Sequence, residues 1–189
     1  MRIRIKFLIF GLITFVGCDK VEEKNSVNVK QEIAKLKSSS DQEEYLEYIY
    51  ESDQDIRDGR SSEIVLKYGK NSSQYQNFVY LIDSIDQLNL KRIDLYLSTF
   101  GYPSKDSVSN RALTAPWIVV HHSTDIQERR RFFPLLQNAY ENQNINSDQF
   151  ELYLGRTYQF EFGKYPSTEG AYQITDKINR LIKELNLGK

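Results

Sequence analysis

NSSQYQNFVYLIDSIDQLNLKRIDLYLSTFGYP, residues 71–103, carries its apolar side chains at helical spacing. Tyr75, Phe78, Val79, Ile82 and Ile85 recur at three and four, the period of one face of an α-helix, and Asn71 with Gln74 can open its first turn. Ile93, Leu97 and Phe100 point one way and end another helix before Gly101, with Pro103 as a stop signal two residues beyond. The same period extends in both directions. Upstream, Ser40 and Glu43 have capping-box spacing, and Tyr45, Leu46, Ile49 and Ile56 form a face ending before Gly59, which predicts a helix from about Asp41 to Asp58. Downstream, Ser107 to Thr124 is ambiguous, because Trp117 to Val120 is a continuous β-branched run while Arg111 to Ala115 favours helix; we read it as a helix kinked at Pro116. Asp125 and Glu128 form a second capping box ahead of Ile126, Phe133, Leu136 and Tyr140, a face that Pro134 must bend or restart. Asn146 or Ser147 caps Gln149 to Phe162, and Thr175 caps a last helix carrying Ile174, Ile178, Leu181, Ile182 and Leu185, closed by Gly188. No alternating strand pattern with hairpin turns interrupts this series. The reading predicts one compact all-α domain of about six or seven helices over residues 41–189.

Ahead of that domain the composition changes. Arg2, Arg4 and Lys6 precede FLIFGLITFV, residues 7–16, in which Thr14 is the only polar side chain. At ~1.5 Å per residue this run covers about 15 Å, roughly half of a ~30 Å hydrocarbon core, so it suits a segment that is recognised and removed rather than a permanent span. Gly17 and Cys18, the only cysteine of the chain, follow at once. The arrangement resembles the signal of bacterial lipoproteins, which implies removal of residues 1–17, a lipid on the Cys18 thiol, and attachment to an envelope membrane. Asp19 to Ser40 is polar, with few side chains to bury, and reads as a tether over residues 18–40 in which Val29 to Lys37 can form a loose helix. Asp19, Glu22 and Glu23 fit retention at the inner membrane or export to the cell surface equally well.

Removal of Arg2, Arg4 and Lys6 leaves 22 basic against 26 acidic side chains, a formal charge of −4. Phosphate binding needs a basic stripe, so nucleic acid is not an expected partner. With one cysteine, no intramolecular disulfide can form and packing must supply the stability. Gly-rich phosphate loops, nucleophile elbows and paired cysteines are missing from the sequence, and no cofactor is expected. Thirteen tyrosines and ten phenylalanines fall mostly on apolar helical faces, where core packing accounts for them better than carbohydrate stacking does. Arg129, Arg130 and Arg131 are spread around a helix axis and read as a solvated face.

His121 and His122 are the only histidines, and histidine is the side chain whose proton changes hands near neutral pH. Adjacent helical residues point about 100° apart, so one ring can face inward while the other faces solvent. One metal cannot readily take both. Asp125, four residues after His121, could add an oxygen, but the spacing falls short of a zinc motif and no metal is expected. An imidazole hydrogen-bonded between helices and a catalytic base both remain open. Asp53 and Arg57, acid before base at i and i+4, are by spacing a surface pair worth ~0.3–0.5 kcal/mol.

Several short landmarks occur in order: Asp53-Gln54-x-x-Arg57, Asp86-x-x-Asn89, Gly101-Tyr102-Pro103, His121-His122 and Leu152-Tyr153-Leu154-Gly155-Arg156. Together they resemble an uncharacterised bacterial domain family with DQxxR, DxxN, GWP, QH and DR motifs, over roughly Glu51 to Lys189. Tyr102 stands in place of the family's Trp, Gly155 in place of its Asp, and Lys164 to Thr168 in place of a YGTQ-like turn. The resemblance implies a mostly helical fold and no known activity, and it is what promotes Asp53, Arg57 and Arg156 to site candidates. Arg156 brings a planar fork suited to a carboxylate or phosphate.

Two functions follow as expectations. The first is a lipid-anchored, non-enzymatic module of the bacterial envelope, facing the periplasm or the cell surface, that binds an envelope protein or a small ligand. The alternative is a small hydrolase or transferase in which His121 or His122 is the general base, oriented by Asp53 or Asp125, with Arg57 or Arg156 stabilising negative charge. Convergence of those side chains around one pocket separates the two.

Overall fold

A computed structural model of the chain describes residues 29–167, 170 and 173–188. Among them the protein is all-α, with seven helices and no strand: α1 (Ser39–Asp55), α2 (Arg60–Tyr68), α3 (Ser73–Phe100), α4 (Asn110–His122), α5 (Ile126–Glu141), α6 (Ser147–Phe162) and α7 (Ile174–Glu184). The signal-like segment and Cys18 lie outside the described residues.

α4 is the axis of the bundle. It packs against α1, α3, α5 and α6, and buries Ala112, Ala115, Pro116, Trp117, Val119 and Val120. That placement explains its unbroken apolar run, since a helix covered on several sides needs no polar stripe. The surrounding helices contribute Leu46 and Ile49, Ile93 and Leu97, Phe132, Phe133 and Leu136, Phe150, Tyr153 and Leu154, and Ile178 and Leu181, all nearly fully buried. Each large apolar side chain so covered contributes about 1.5–3 kcal/mol relative to exposure. Pro116 and Pro134 sit inside α4 and α5, and neither starts a new helix.

Several expected boundaries move. Ser38, not Ser40, caps α1, in a reciprocal capping box with Asp41. Glu43 instead reaches across to the N-terminus of α4 and accepts from the Ser109 amide at 2.7 Å. α1 stops at Asp55, short of the expected Asp58, and the unforeseen α2 follows from Gly59, whose φ of +70° suits a residue without Cβ. The two helices expected between residues 71 and 100 are one helix of 28 residues, capped by Ser72. Of the expected apolar face in its first half only Phe78 is buried. Asn146 caps α6 in a reciprocal box with Gln149, and Asp125 caps α5 through the Gln127 and Glu128 amides, without the expected return bond from Glu128, whose carboxylate takes Arg131 instead. Gln173 rather than Thr175 precedes α7, which ends at Glu184.

Residues 29–40, read as the end of a tether, belong to the domain. A helical turn at 29–34 buries Val29 and Ile33, and Glu32 takes the Arg92 guanidinium at 2.9 Å and the Tyr45 hydroxyl at 3.0 Å. Two apolar side chains one turn apart and a buried counter-ion outweigh the polar composition around them. Among the described residues no helix is long and apolar enough to cross a membrane.

Candidate functional site

The last turn of α1, the middle of α3 and the end of α4 meet at one place. Asp53 is 1% exposed, and both its carboxylate oxygens lie 3.0 Å from His122 Nδ1. Gln54 Nε2 donates to Oδ2 at 2.7 Å, and Arg57 Nη1 stands 3.3 Å from Oδ1. A carboxylate only accepts, so the shared hydrogen sits on Nδ1 of His122, and in the neutral ring the lone pair is then on Nε2. No described residue occupies that nitrogen. Arg57 lies beyond the end of α1, where Nη1 closes the helix by donating to the Asp53 carbonyl at 2.7 Å. Its Nη2 meets both oxygens of Asp86 at 2.6 Å. Burial raises the Asp86 pKa, the Arg57 fork opposes that rise, and the neighbouring Asp53 adds to it.

Behind this cluster runs a polar seam between α1 and α3. Asn89, fully buried, exchanges hydrogen bonds with Ser52 at 3.0 and 3.2 Å and accepts from Arg92. The helical spacing of Asp86, Asn89 and Arg92 sets all three on the face of α3 turned toward α1.

His122 lines a hollow of about 600 Å3 whose wall holds Asp83, Asp86, Asp94, Asp125 and Glu128 against Lys91 and Arg131. Arg131 is committed to Asp94 and Glu128. Asp125, a candidate for orienting a histidine, instead turns its carboxylate to the Gln127 and Glu128 amides, where it caps α5.

His121 turns the other way. Its ring stacks on Trp117, 5.1 Å between centroids, and touches the His122 ring edge-on at 5.6 Å. Its Nδ1 is buried without a hydrogen-bond partner. Burial, reinforced by Arg129 and Arg156, pushes its pKa down to about 3, so the ring is neutral at physiological pH. His121 lines a second hollow of about 490 Å3 together with Arg156.

The expected convergence is therefore partial and selective. Asp53, Arg57 and His122 meet within bonding distance; His121 and Arg156 line a separate hollow, near enough for Arg57 and Asp86 to act on the Arg156 charge. Asp86 and Arg129 were not among the expected site residues. Asp86 carried a signal in its one-turn spacing from Asn89. Arg129, read as part of a solvated run, is fully buried. It donates to the carbonyls of Val120, His121, Ser123 and Tyr153 and to Thr157 Oγ1, at 2.7–3.0 Å. Carbonyls at the end of α4 create its place: among the described residues those of His121 and Ser123 have no backbone donor, and that of Val120 accepts from the Ser123 amide with a second lone pair to spare. Among the described residues no group of three or more His, Cys, Asp or Glu side chains is arranged to hold a metal ion.

No family model, curated protein or solved structure matches this chain.

Proposed function

We propose that the protein is an acid–base enzyme of the hydrolase or transferase type, anchored in the bacterial envelope through a lipid on Cys18, with His122 as its general base. One observation carries the reading: the His122 ring, fixed through Nδ1 at 3.0 Å by a buried carboxylate, lines a 600 Å3 hollow. Asp53 holds the tautomer and favours the imidazolium that forms when Nε2 takes a proton, the logic of any carboxylate–imidazole dyad. Arg57 braces Asp53 and ties it to Asp86, which keeps the dyad aimed at the hollow. Five carboxylates against two cations in the lining suit a neutral or cationic reacting group. The order and spacing of the five landmark motifs support placement in the bacterial domain family they resemble, and several of their residues are the ones that meet here.

Turnover of ester, amide and phosphoester surrogates by the full-length chain tests the enzyme. We expect H122Q and D53N to lower kcat/KM by about 100-fold or more, while R111Q, at the exposed pair with Glu51, stays within a few-fold of wild type. Turnover insensitive to H122Q would sink the proposal. For the anchor, a tagged palmitate analogue is expected to label wild type in a bacterial host and to leave C18A unlabelled; equal labelling of both removes it.

The second reading, a non-enzymatic module for an envelope protein or small ligand, draws on Leu66 and Tyr80, 87% and 70% exposed on α2 and α3. It expects no turnover by any variant.

A further inference from the structure

The arginines of the described chain are almost all spoken for. Arg57, Arg92, Arg111, Arg130, Arg131 and Arg180 face carboxylates, and Arg129 faces carbonyls. Arg60 is exposed to solvent. Arg156 differs from all of them: it is half-buried, yet no described carboxylate or carbonyl meets its guanidinium, which rests over the Phe160 ring with Cζ 5.4 Å from the centroid. Taking a cation partly out of water without a partner is costly unless something from outside supplies the opposite charge.

The surroundings fit such a supply. Arg156 lines the 490 Å3 hollow with His121, Glu151, Gln159, Phe160 and Tyr165. Glu151 stands five residues earlier on α6, beyond ion-pair reach of the guanidinium, and leans over Gly155, where an added Cβ would meet its Oε1 at 4.0 Å. Gln159 adds an amide. Burial lowers the pKa of Arg156, the charge of Arg57 lowers it further, and Asp86 opposes both. His121 contributes a neutral ring. An orphaned lone pair at Nδ1 is cheaper than an orphaned N–H, which assigns the hydrogen of that ring to Nε2.

We infer that this hollow is an oxyanion subsite: Arg156 takes a carboxylate or phosphate group through its planar fork, on the opposite side of the His121–His122 pair from the acid-rimmed hollow. The substrate then spans the end of α4. Its anionic group lies against Arg156, and the bond to be broken lies beside His122. This second statement rests on the acid–base reading, whereas anion binding itself can be measured without turnover.

The test uses the full-length chain with 15N-labelled arginine and histidine, titrated separately with acetate and with inorganic phosphate at constant ionic strength. Saturable shifts of the Arg156 Nε and His121 ring signals are expected in wild type, with affinity about tenfold or more weaker in R156Q and within twofold of wild type in H122Q. Saturation by acetate alone supports a carboxylate, and by phosphate alone a phosphate. Flat or unsaturable responses to both anions, or equal affinity in R156Q, overturn the subsite as no more than adventitious surface binding. Because Arg156 makes no hydrogen bond to a described residue, R156Q should fold, and its thermal melt checks this. Saturable binding without any turnover would overturn the enzyme and keep the subsite. His122-dependent turnover with a flat titration would do the reverse.

Discussion

Arg129 carries a charge into the centre of the bundle and finds no carboxylate there. Burial pulls its pKa down to about 10, so it still enters as a cation, and five neutral acceptors share it. Met in its place fits the volume and leaves the buried carbonyls of His121 and Ser123 without a donor, while those of Val120 and Tyr153 keep the Ser123 amide and the Thr157 hydroxyl. At about 1–3 kcal/mol for each buried group left unsatisfied, with partial relaxation, R129M is expected to lose about 3 kcal/mol or more, or about 6–12 °C in Tm for a domain of this size. Lys has three donors on a point and cannot reach the same spread of acceptors, so R129K should recover only part of the loss. A calorimetric Tm for R129M within 2 °C of wild type would remove Arg129 as the clasp of the histidine turn. No sequence pattern pointed to this residue, because a run of three arginines looks the same whether one of them points inward or none does. The two histidines posed a similar difficulty. Periodicity established that they diverge, but which ring met a carboxylate depended on the rotation of α4 against α1, a property of packing between distant segments.

Single elements were legible wherever their own residues decide them. Asp125 and Asn146 cap helices because their side chains meet amides two or three residues ahead, a local event. Ser40 with Glu43 had the same spacing and failed, because Ser38 makes the box and Glu43 serves α4 instead. α2 escaped notice because it buries no side chain and shows no core face to detect. The length of α3 was missed for a related reason: its first half buries Phe78 alone, outside the main core cluster, while its second half turns Ile93, Tyr96 and Leu97 into that core, so one helix scans as two. Pro116 was expected to kink α4. Ala112, four residues earlier, would lose its amide partner in any case, and the helix runs on through that position.

At the scale of the molecule, the loss of stability between pH 7 and pH 5 traces to His121, and Glu32 and Asp41, whose carboxyls are held below their ordinary values, add to it in stronger acid. Its folded pKa of about 3 lies below the ordinary histidine value near 6.5. The unfolded chain therefore takes up a proton that the native chain refuses, and stability falls as pH drops from about 6.5 toward 3. Wild type should lose about 2 kcal/mol more than H121Q between pH 7 and pH 5, read from urea melts. Asp86, with its raised pKa, works in the opposite sense at lower pH and cancels in the comparison. Parallel losses in the two proteins would contradict a buried neutral His121. The all-α architecture was visible from apolar spacing alone because packing demands of each helix a face its own sequence must carry. Half of the site was visible in Asp53, Arg57 and the histidines; its division into two hollows was not, since that comes from α6 closing beside α4. This closure also orders events during synthesis. The acceptors of Arg129 come from α4, the turn after it and α6, so a nascent chain without residues 147–162 holds the turn bearing His121 and His122 by three of its five bonds. The Arg129 clasp therefore closes in full only after residues 147–162 have left the ribosome.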